Sequence, residues 1–137
     1  MADEIRVAIN SEADIVAARQ QGRAMAVQLG FSGSDVVLIA TAISEVARNI
    51  VAYATRGEIL LSHANQGSKW GIVVVARDEG PGIADIAQAM QDGYSTSRGL
   101  GLGLPGAKRL MDEFDIVSQL GKGTTIVMKK WATRRAE

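Results

Sequence analysis

The first half of the chain has the hydrophobic pattern of one strand followed by two helices. Apolar and polar residues alternate one by one over residues 4–9, which is typical of a half-buried strand. Over residues 14–29, and again over residues 36–54, apolar residues recur at intervals of three and four, as on one face of a helix. The expected boundaries are Gly30 as the end of the first helix, Ser34 or Asp35 as the N-cap of the second, and Gly57 as its end.

The second half has the pattern of two β-hairpins separated by a loop and a helix. Because the strands come in hairpins and the helices come together, the whole pattern predicts a two-layer α+β sandwich with helices on one face of a mainly antiparallel sheet. The element order is then β-α-α-β-β-loop-α-β-β. The predicted elements are strands over 58–65 and 70–78 with a turn at 65–68, a helix over 104–113, and strands over 115–120 and 124–131 with a turn at 121–123.

The composition of the chain limits the classes of protein to which it can belong. The 137 residues are 47% hydrophobic, enough for one core, so we expect a single domain over 1–137. Fifteen basic residues balance 15 acidic ones, which gives no net field for nucleic acid or an anionic membrane. The absence of cysteine excludes disulfides, thiol catalysis and cysteine-ligated metals, and the single histidine, His63, argues against a Ser-His-Asp hydrolase. With no apolar leader and no continuous apolar run of membrane-spanning length, we expect a cytoplasmic protein.

Glu45 and Asn49 lie four residues apart in the second predicted helix and therefore share a face. That face points nearly opposite the apolar stripe centred on Ala40, Ala47 and Ala54. Taken alone, the pair is typical of a solvated helix face with a minor contact.

Residues 78–83, Asp-Glu-Gly-Pro-Gly-Ile, follow an apolar predicted strand. A carboxylate at the end of a buried strand can accept a hydrogen bond from a ligand amino group, and glycines let the backbone come close to that ligand. Taken alone, the segment is equally well explained as a turn that ends the strand.

Seven of the 15 glycines lie between residues 80 and 106, and residues 99–106 lead directly into a predicted helix. Free backbone N–H groups and the helix dipole make such a junction suitable for an anion. Gly101, Gly103 and Gly106 match the dinucleotide pattern G-x-G-x-x-G, but a polar segment precedes them instead of a strand, and no acidic residue follows at about 20 positions. A P-loop is excluded because Gly-Lys-Ser/Thr does not occur. Residues 121–124, Gly-Lys-Gly-Thr, read alone as a hairpin turn.

Together, in this order and spacing, the four segments resemble the nucleotide-binding motifs of the GHKL ATPase superfamily (gyrase, Hsp90, histidine kinases and MutL), whose fold is the Bergerat sandwich. The match comprises an N-box at Glu45 and Asn49, a D-x-G-x-G box over 78–82, a G-x-G box over 99–103 and a G-x-G-T box over 121–124.

Longer stretches give a closer resemblance within that superfamily. Residues 14–19, 42–49, 92–97 and 103–114 are similar to the bacterial partner-switching serine kinases of the RsbT type, the stressosome switch kinases, which are related to the anti-sigma-factor kinases.

The resemblance implies Mg-ATP as the cofactor and a role for each matched residue. Glu45 is expected to accept the proton of the attacking hydroxyl, Asn49 to be the protein ligand of Mg²⁺, and Asp78 to bind the adenine amino group. The remaining ATP-binding residues implied are Gly80, Gly82 and Ile83 beside the base, Thr124 at its edge, Ser95, Thr96, Ser97 and Arg98 in a lid over 92–98, and Gly99, Leu100, Gly101, Leu102 and Gly103 along the phosphates.

The remaining charged residues are interpreted from their positions, and two arginines have two possible roles. Arg48 and Arg98 either neutralise the transferred phosphoryl group or lie on the surface. Lys108 and Arg109 are expected on a solvated helix face, and His63 in a structural position. A basic cluster near the C-terminus, formed by Lys129, Lys130, Arg134 and Arg135, is typical of a solvated end and not of a nucleic-acid site.

The resemblance also implies the partners. The expected substrate is a serine or threonine of a STAS-domain antagonist or scaffold protein, and the released kinase is expected to activate a PP2C-type phosphatase or another signalling partner. No nucleic-acid or membrane partner is expected, and monomer and homodimer both remain open.

The rival hypothesis is a binding module: an anti-sigma factor, or a non-catalytic sequestering protein gated by nucleotide. Glu45 favours chemistry, because nucleotide binding alone does not need that carboxylate.

Overall fold

The computed structural model describes residues 4–54, 56–83, 90 and 103–133. Within these ranges the predicted order of elements is confirmed, as is the α+β sandwich. The elements are β1 Ile5–Ile9, α1 Glu12–Leu29, α2 Gly33–Tyr53, β2 Gly57–Gln66, β3 Lys69–Asp78, α3 Gly103–Leu110, β4 Glu113–Gln119 and β5 Gly123–Thr133.

The five strands form one antiparallel sheet in the order β1-β2-β3-β5-β4. Alternate residues along each strand face the helices, so the cross-strand row of Val7, Ile59, Ala76 and Ile126 belongs to the core. The next row along the strands, which includes Glu58, Arg77 and Thr125, lies on the opposite face. The helices therefore cover one face of the sheet.

Three predicted boundaries are wrong. The N-cap of α2 is Ser32, whose hydroxyl accepts a hydrogen bond from the Asp35 N–H at 3.2 Å, so neither Ser34 nor Asp35 is the cap. The helix ends at Tyr53, and Gly57 begins β2 instead of ending α2. The last helix ends at Leu110, because the backbone from Asp112 onward pairs with β5, starting with the Asp112 N–H and the Lys129 carbonyl.

Helix α2 is buried along most of its circumference. It packs against α1, the sheet and α3, so that ten of its residues are buried, Ser44 and Glu45 among them. The solvated face expected for Glu45 and Asn49 is therefore wrong: Glu45 is 7% exposed and Asn49 is half-buried. The sequence pattern placed this face away from the apolar stripe correctly, but α3 covers it.

The length and composition of α2 also meet the requirement for a membrane-spanning helix, although Asp35, Glu45 and Arg48 interrupt it. More than half of the apolar window is buried inside the domain. We therefore interpret α2 as the core helix of the sandwich. Its close contact with α1 is seen at Gly22, where a β-carbon would overlap the side chain of Ile43.

Candidate functional site

Asp78 is the last residue of β3 and pairs across the sheet with Gly57 and Thr124. Its side chain is half-buried, and one carboxylate oxygen accepts a hydrogen bond from the Gly80 N–H at 2.9 Å. This contact closes a tight turn directly after the strand. The turn fixes the carboxylate at the end of the sheet nearest to Ala54, the C-cap of α2.

The loop after Asp78 packs against the β4–β5 turn through two glycines. At Gly82 (φ +81°) a β-carbon would overlap the Gln119 carbonyl, and at Gly123 (φ +122°) it would overlap the Asp78 carbonyl. Only glycine combines such backbone angles with so close an approach. We expected Gly82 to make room for a ligand, but the space beside it is filled by the protein backbone. The D-x-G-x-G box and the G-x-G-T box are therefore in direct contact.

Ser118 joins the same two segments, and the sequence analysis missed it. Its hydroxyl accepts a hydrogen bond from the Ile83 N–H at 2.7 Å and lies 2.8 Å from the hydroxyl of Thr124, which is 5% exposed. The signal was present in the alternation of β4, where Phe114 and Ile116 face inward and a polar residue takes the next inward position. We call Asp78, Gly80, Gly82, Ile83, Ser118, Gly123 and Thr124 the strand-end cluster.

Glu45 lies at a second location, between α2 and α3. One carboxylate oxygen accepts a hydrogen bond from Arg48 Nη1 at 3.0 Å, and the other accepts the Gly103 N–H at 2.9 Å. Because Gly103 is the first residue of α3, the carboxylate sits where the helix dipole favours negative charge. We call Glu45, Arg48, Asn49 and Gly103 the interhelix cluster.

Helix α3 is held at both ends. Glu45 binds its first N–H, and the Lys130 ammonium donates to the Leu110 carbonyl at its last residue, at 2.9 Å. Lys130 also lies 3.7 Å from Asp112. The expected solvation of Lys108 and Arg109 between these anchors is confirmed, since both residues are exposed.

Asn49 follows Glu45 by one helical turn and is half-buried. The described residues contain no group of three or more His, Asp or Glu side chains that could hold a metal ion. The amide oxygen of Asn49 is a neutral oxygen donor, and oxygen donors are the ligands that Mg²⁺ prefers.

Helix α2 connects the two clusters. Its C-cap residue Ala54 contacts the strand-end cluster, since a β-carbon on Gly80 would lie 2.6 Å from that of Ala54. Ala54 lies nine positions after Glu45, which corresponds to about 14 Å along the helix axis.

The other predicted site residues lie outside the described residues. His63, expected in a structural position, is half-buried in β2. A polar cavity of about 720 Å³ opens beside Asp78, but Glu45 and Asn49 are not among its lining residues. The predicted residues outside the described ranges are Ser95, Thr96, Ser97, Arg98, Gly99, Leu100, Gly101 and Leu102.

Comparison with known proteins places the chain in a family. The model of the histidine kinase-like ATPase domain matches residues 9–130. The chain therefore belongs to the family of histidine kinase-like ATPase domains, which are ATP-using proteins. The Bergerat-type sandwich expected from the motifs is confirmed.

Similarity to individual proteins defines its activity further. The chain is 53% identical, over 96% of its length and 98% of the relative's, to the serine/threonine-protein kinase RsbT of Bacillus subtilis (strain 168). It is 34% identical to an anti-sigma F factor of Thermoanaerobacter sp. (strain X514), over 83% of this chain and 82% of that one. The chain is accordingly a serine/threonine-protein kinase of the RsbT type, within a group of partner-switching kinases.

A solved structure agrees on the fold. The RsbU and RsbW domains of a Mycobacterium tuberculosis protein match with a TM-score of 0.64 and 23% identity. The match covers 99% of this chain and 34% of that chain, so the present chain corresponds to about one third of the larger protein.

Proposed function

We propose that this kinase transfers the γ-phosphate of Mg-ATP to a serine or threonine of a STAS-domain partner protein. The observation that carries the proposal is the placement of Glu45: a carboxylate only 7% exposed, at the first N–H of α3 and one turn from Asn49. The start of a helix is a favourable place for a phosphate group. A buried carboxylate next to it is well placed to take part in chemistry on that group.

The two clusters supply the two ends of a nucleotide site. We assign the adenine to the strand-end cluster, where the Asp78 carboxylate can accept a hydrogen bond from the amino group. We assign the phosphates to the interhelix cluster, where the backbone at the start of α3 donates N–H groups. Helix α2 contributes to both clusters, with Glu45 and Ala54 about 14 Å apart along its axis, so we place the ATP molecule beside this helix.

Asn49 fits Mg²⁺ as a single protein ligand. When bound with the nucleotide, the metal ion neutralises charge on the phosphates. Asn49 then orients the triphosphate relative to Glu45, because both side chains project from the same face of α2. We assign to Glu45 the role of general base, which accepts the proton of the attacking hydroxyl. As that oxygen bonds to the γ-phosphorus, the bond from the γ-phosphorus to the β–γ bridging oxygen breaks and ADP leaves.

The partners follow from the same proposal. A phosphate added to a STAS-domain protein brings about −1.5 to −2 charges to the interface, enough to expel the kinase. The released kinase then activates a PP2C-type phosphatase or a comparable signalling partner, in a stressosome-like module. We place this activity in the cytoplasm and in a single kinase domain that spans residues 1–137.

The direct test is the transfer of labelled γ-phosphate from Mg-ATP to the STAS-domain proteins of the same organism. With Glu45→Ala, nucleotide binding should persist while transfer is lost. With Asn49→Ala, the affinity for Mg-ATP itself should fall. Transfer that persists in Glu45→Ala would remove the general-base assignment.

A second candidate is an anti-sigma factor or a nucleotide-gated sequestering module. The 34% identity to an anti-sigma F factor is the observation that favours it. Tight ATP binding without label on any STAS-domain protein, together with co-purification of a sigma factor, would select this alternative.

A further inference from the structure

We propose that Arg48 is a positioning residue for phosphoryl transfer, which acts by holding the Glu45 carboxylate in one orientation. The inference rests on the proposed function, because it gives Glu45 a role in transfer. From the sequence alone, Arg48 had two possible positions: on the surface, or in direct contact with the transferred phosphoryl group.

The first argument is burial. Glu45 is 7% exposed, and its partner Arg48 is 30% exposed. A carboxylate removed from water requires a charged or hydrogen-bonding partner, since an unpaired one is strongly destabilising. Arg48 lies one turn along the same helix and supplies both a positive charge and a donor at 3.0 Å.

The other ion pairs of the described residues provide the contrast. The acidic partner is 24% exposed in the pairs of Glu58 with Arg6 and Arg77, 47% in Glu113–Lys129 and 44% in Asp112–Lys130. Pairs of that kind contribute little, because water competes for both charges. Among these five pairs, Glu45–Arg48 therefore has the carboxylate that is best shielded from solvent.

The second argument is geometric. The two oxygens of Glu45 bind donors on different elements: Arg48 on α2 and the Gly103 N–H on α3. A nucleotide phosphate at the start of α3 competes for that same N–H. Once phosphate takes it, Arg48 is the contact that keeps the carboxylate oriented, because it belongs to the same rigid helix as Glu45.

The identity of the residue matters for this role. The guanidinium is planar and presents its donors at fixed angles, whereas an ammonium group is a flexible point charge. Lysine at this position keeps the charge but loses the fixed angle. The variant Arg48→Lys thus separates charge from orientation.

The test measures ATP affinity with a fluorescent ATP analogue and transfer of labelled phosphate to the STAS-domain substrate, in the full-length chain. For Arg48→Met we expect a fall in kcat of about 10- to 100-fold, part of the contribution of a well-placed general base, with ATP affinity within about threefold of wild type. Arg48→Lys should recover part of kcat. The matched control is Arg6→Met, which removes an arginine from the exposed pair with Glu58 and should leave both quantities unchanged.

Two outcomes would overturn the inference. An unchanged kcat in Arg48→Met removes any positioning role, and an ATP affinity that falls as much as kcat shows that Arg48 acts on the phosphates instead. If Arg48→Met does not fold, Arg48→Lys, which keeps the buried charge paired, decides alone: a wild-type kcat overturns the inference.

A double variant checks that Arg48 acts through Glu45. Glu45→Gln with Arg48→Met should be no slower than Glu45→Gln alone, since the carboxylate to be oriented is already gone. A further loss contradicts the inference. The failure of the proposed function itself is distinguishable from these outcomes. In that case the wild-type chain binds ATP but labels no substrate, and the role of Arg48 is overturned together with the proposed function.

Discussion

The strand-end cluster and the interhelix cluster are held together by different forces. In the first, backbone meets backbone: Gly82 and Gly123 bring two loops into contact, and the neutral hydroxyls of Ser118 and Thr124 join them. In the second, one carboxylate joins two helices through a charge-assisted bond to Arg48 and a bond to the Gly103 N–H. Close packing resists displacement, whereas a charged contact can exchange one anion for another.

In the proposed function, this difference suits the two ends of ATP. We propose that the rigid strand-end cluster provides a preformed slot for the planar base. We propose also that the Glu45 carboxylate gives up the Gly103 N–H to the phosphates, whose charge changes during transfer. The comparison predicts that changes in the first cluster mainly affect stability and affinity, and that changes at Glu45 and Arg48 in the second mainly affect rate.

The largest effect on stability is expected from Gly123→Ala. The new β-carbon meets the Asp78 carbonyl at a backbone angle that favours glycine, so the free energy of unfolding should fall by about 2–5 kcal/mol. Gly121→Ala is the matched control: it also has a positive φ (+76°), but no atom lies within 4 Å of its β-carbon, and it should lose about 1 kcal/mol. Denaturant unfolding measures both, and equal losses would contradict the close packing.

The largest effect on rate is expected from Glu45→Gln. The amide keeps the size of the side chain but cannot accept the proton, so turnover should fall about 100-fold or more. ATP affinity should stay equal or rise, because a negative charge near the triphosphate has been removed. A loss of ATP affinity with turnover preserved would assign Glu45 to ATP binding and would contradict the predicted difference between the two clusters.

A smaller effect is expected from Ser118→Ala. It deprives the Ile83 N–H of its 2.7 Å partner, which should weaken ATP binding by about 1–2 kcal/mol, or roughly tenfold. The value of kcat at saturating ATP should not change. Titration with a fluorescent ATP analogue measures the affinity, and a change confined to kcat would place Ser118 with the interhelix cluster.

The smallest effect is expected from Glu58→Gln, outside both clusters. Glu58 pairs with Arg77 at 2.6 Å and Arg6 at 3.4 Å on the exposed face of the sheet. Because water screens such pairs, the free energy of unfolding should change by less than about 1 kcal/mol. Thermal unfolding at low and high salt checks this, and a larger loss would mean that exposed and buried ion pairs are not distinct here.

Much of the fold could be read from periodicity. Alternation predicted the strands, and intervals of three and four predicted the helices, because each periodicity records which side of an element meets the core. The exact ends were less predictable. Leu110 ends α3 because the following backbone pairs with β5, a partner distant in sequence, and Ser32 caps α2 because its hydroxyl reaches the Asp35 N–H.

The candidate site was predictable where residue type and spacing carry the chemistry. Glu45, Asn49, Asp78 and the glycines came from motifs whose order resembles a family. Ser118 was missed, although the alternation of β4 places it inward, because no local pattern shows which groups an inward serine binds. Arg48 was ambiguous, since spacing at i+3 does not reveal whether a pair is buried.

The sequence by itself determined the family and the kinase class and predicted the residue types of the candidate site, because these depend on local spacing and on motifs along the chain. Only the tertiary structure decided which of those residues are shielded from water and what they touch. Glu45 is the clearest case: its own helix places it away from the apolar stripe, and α3, beginning 58 residues later, buries it. Burial is a property of several elements packed together, so no pattern within one element can determine it.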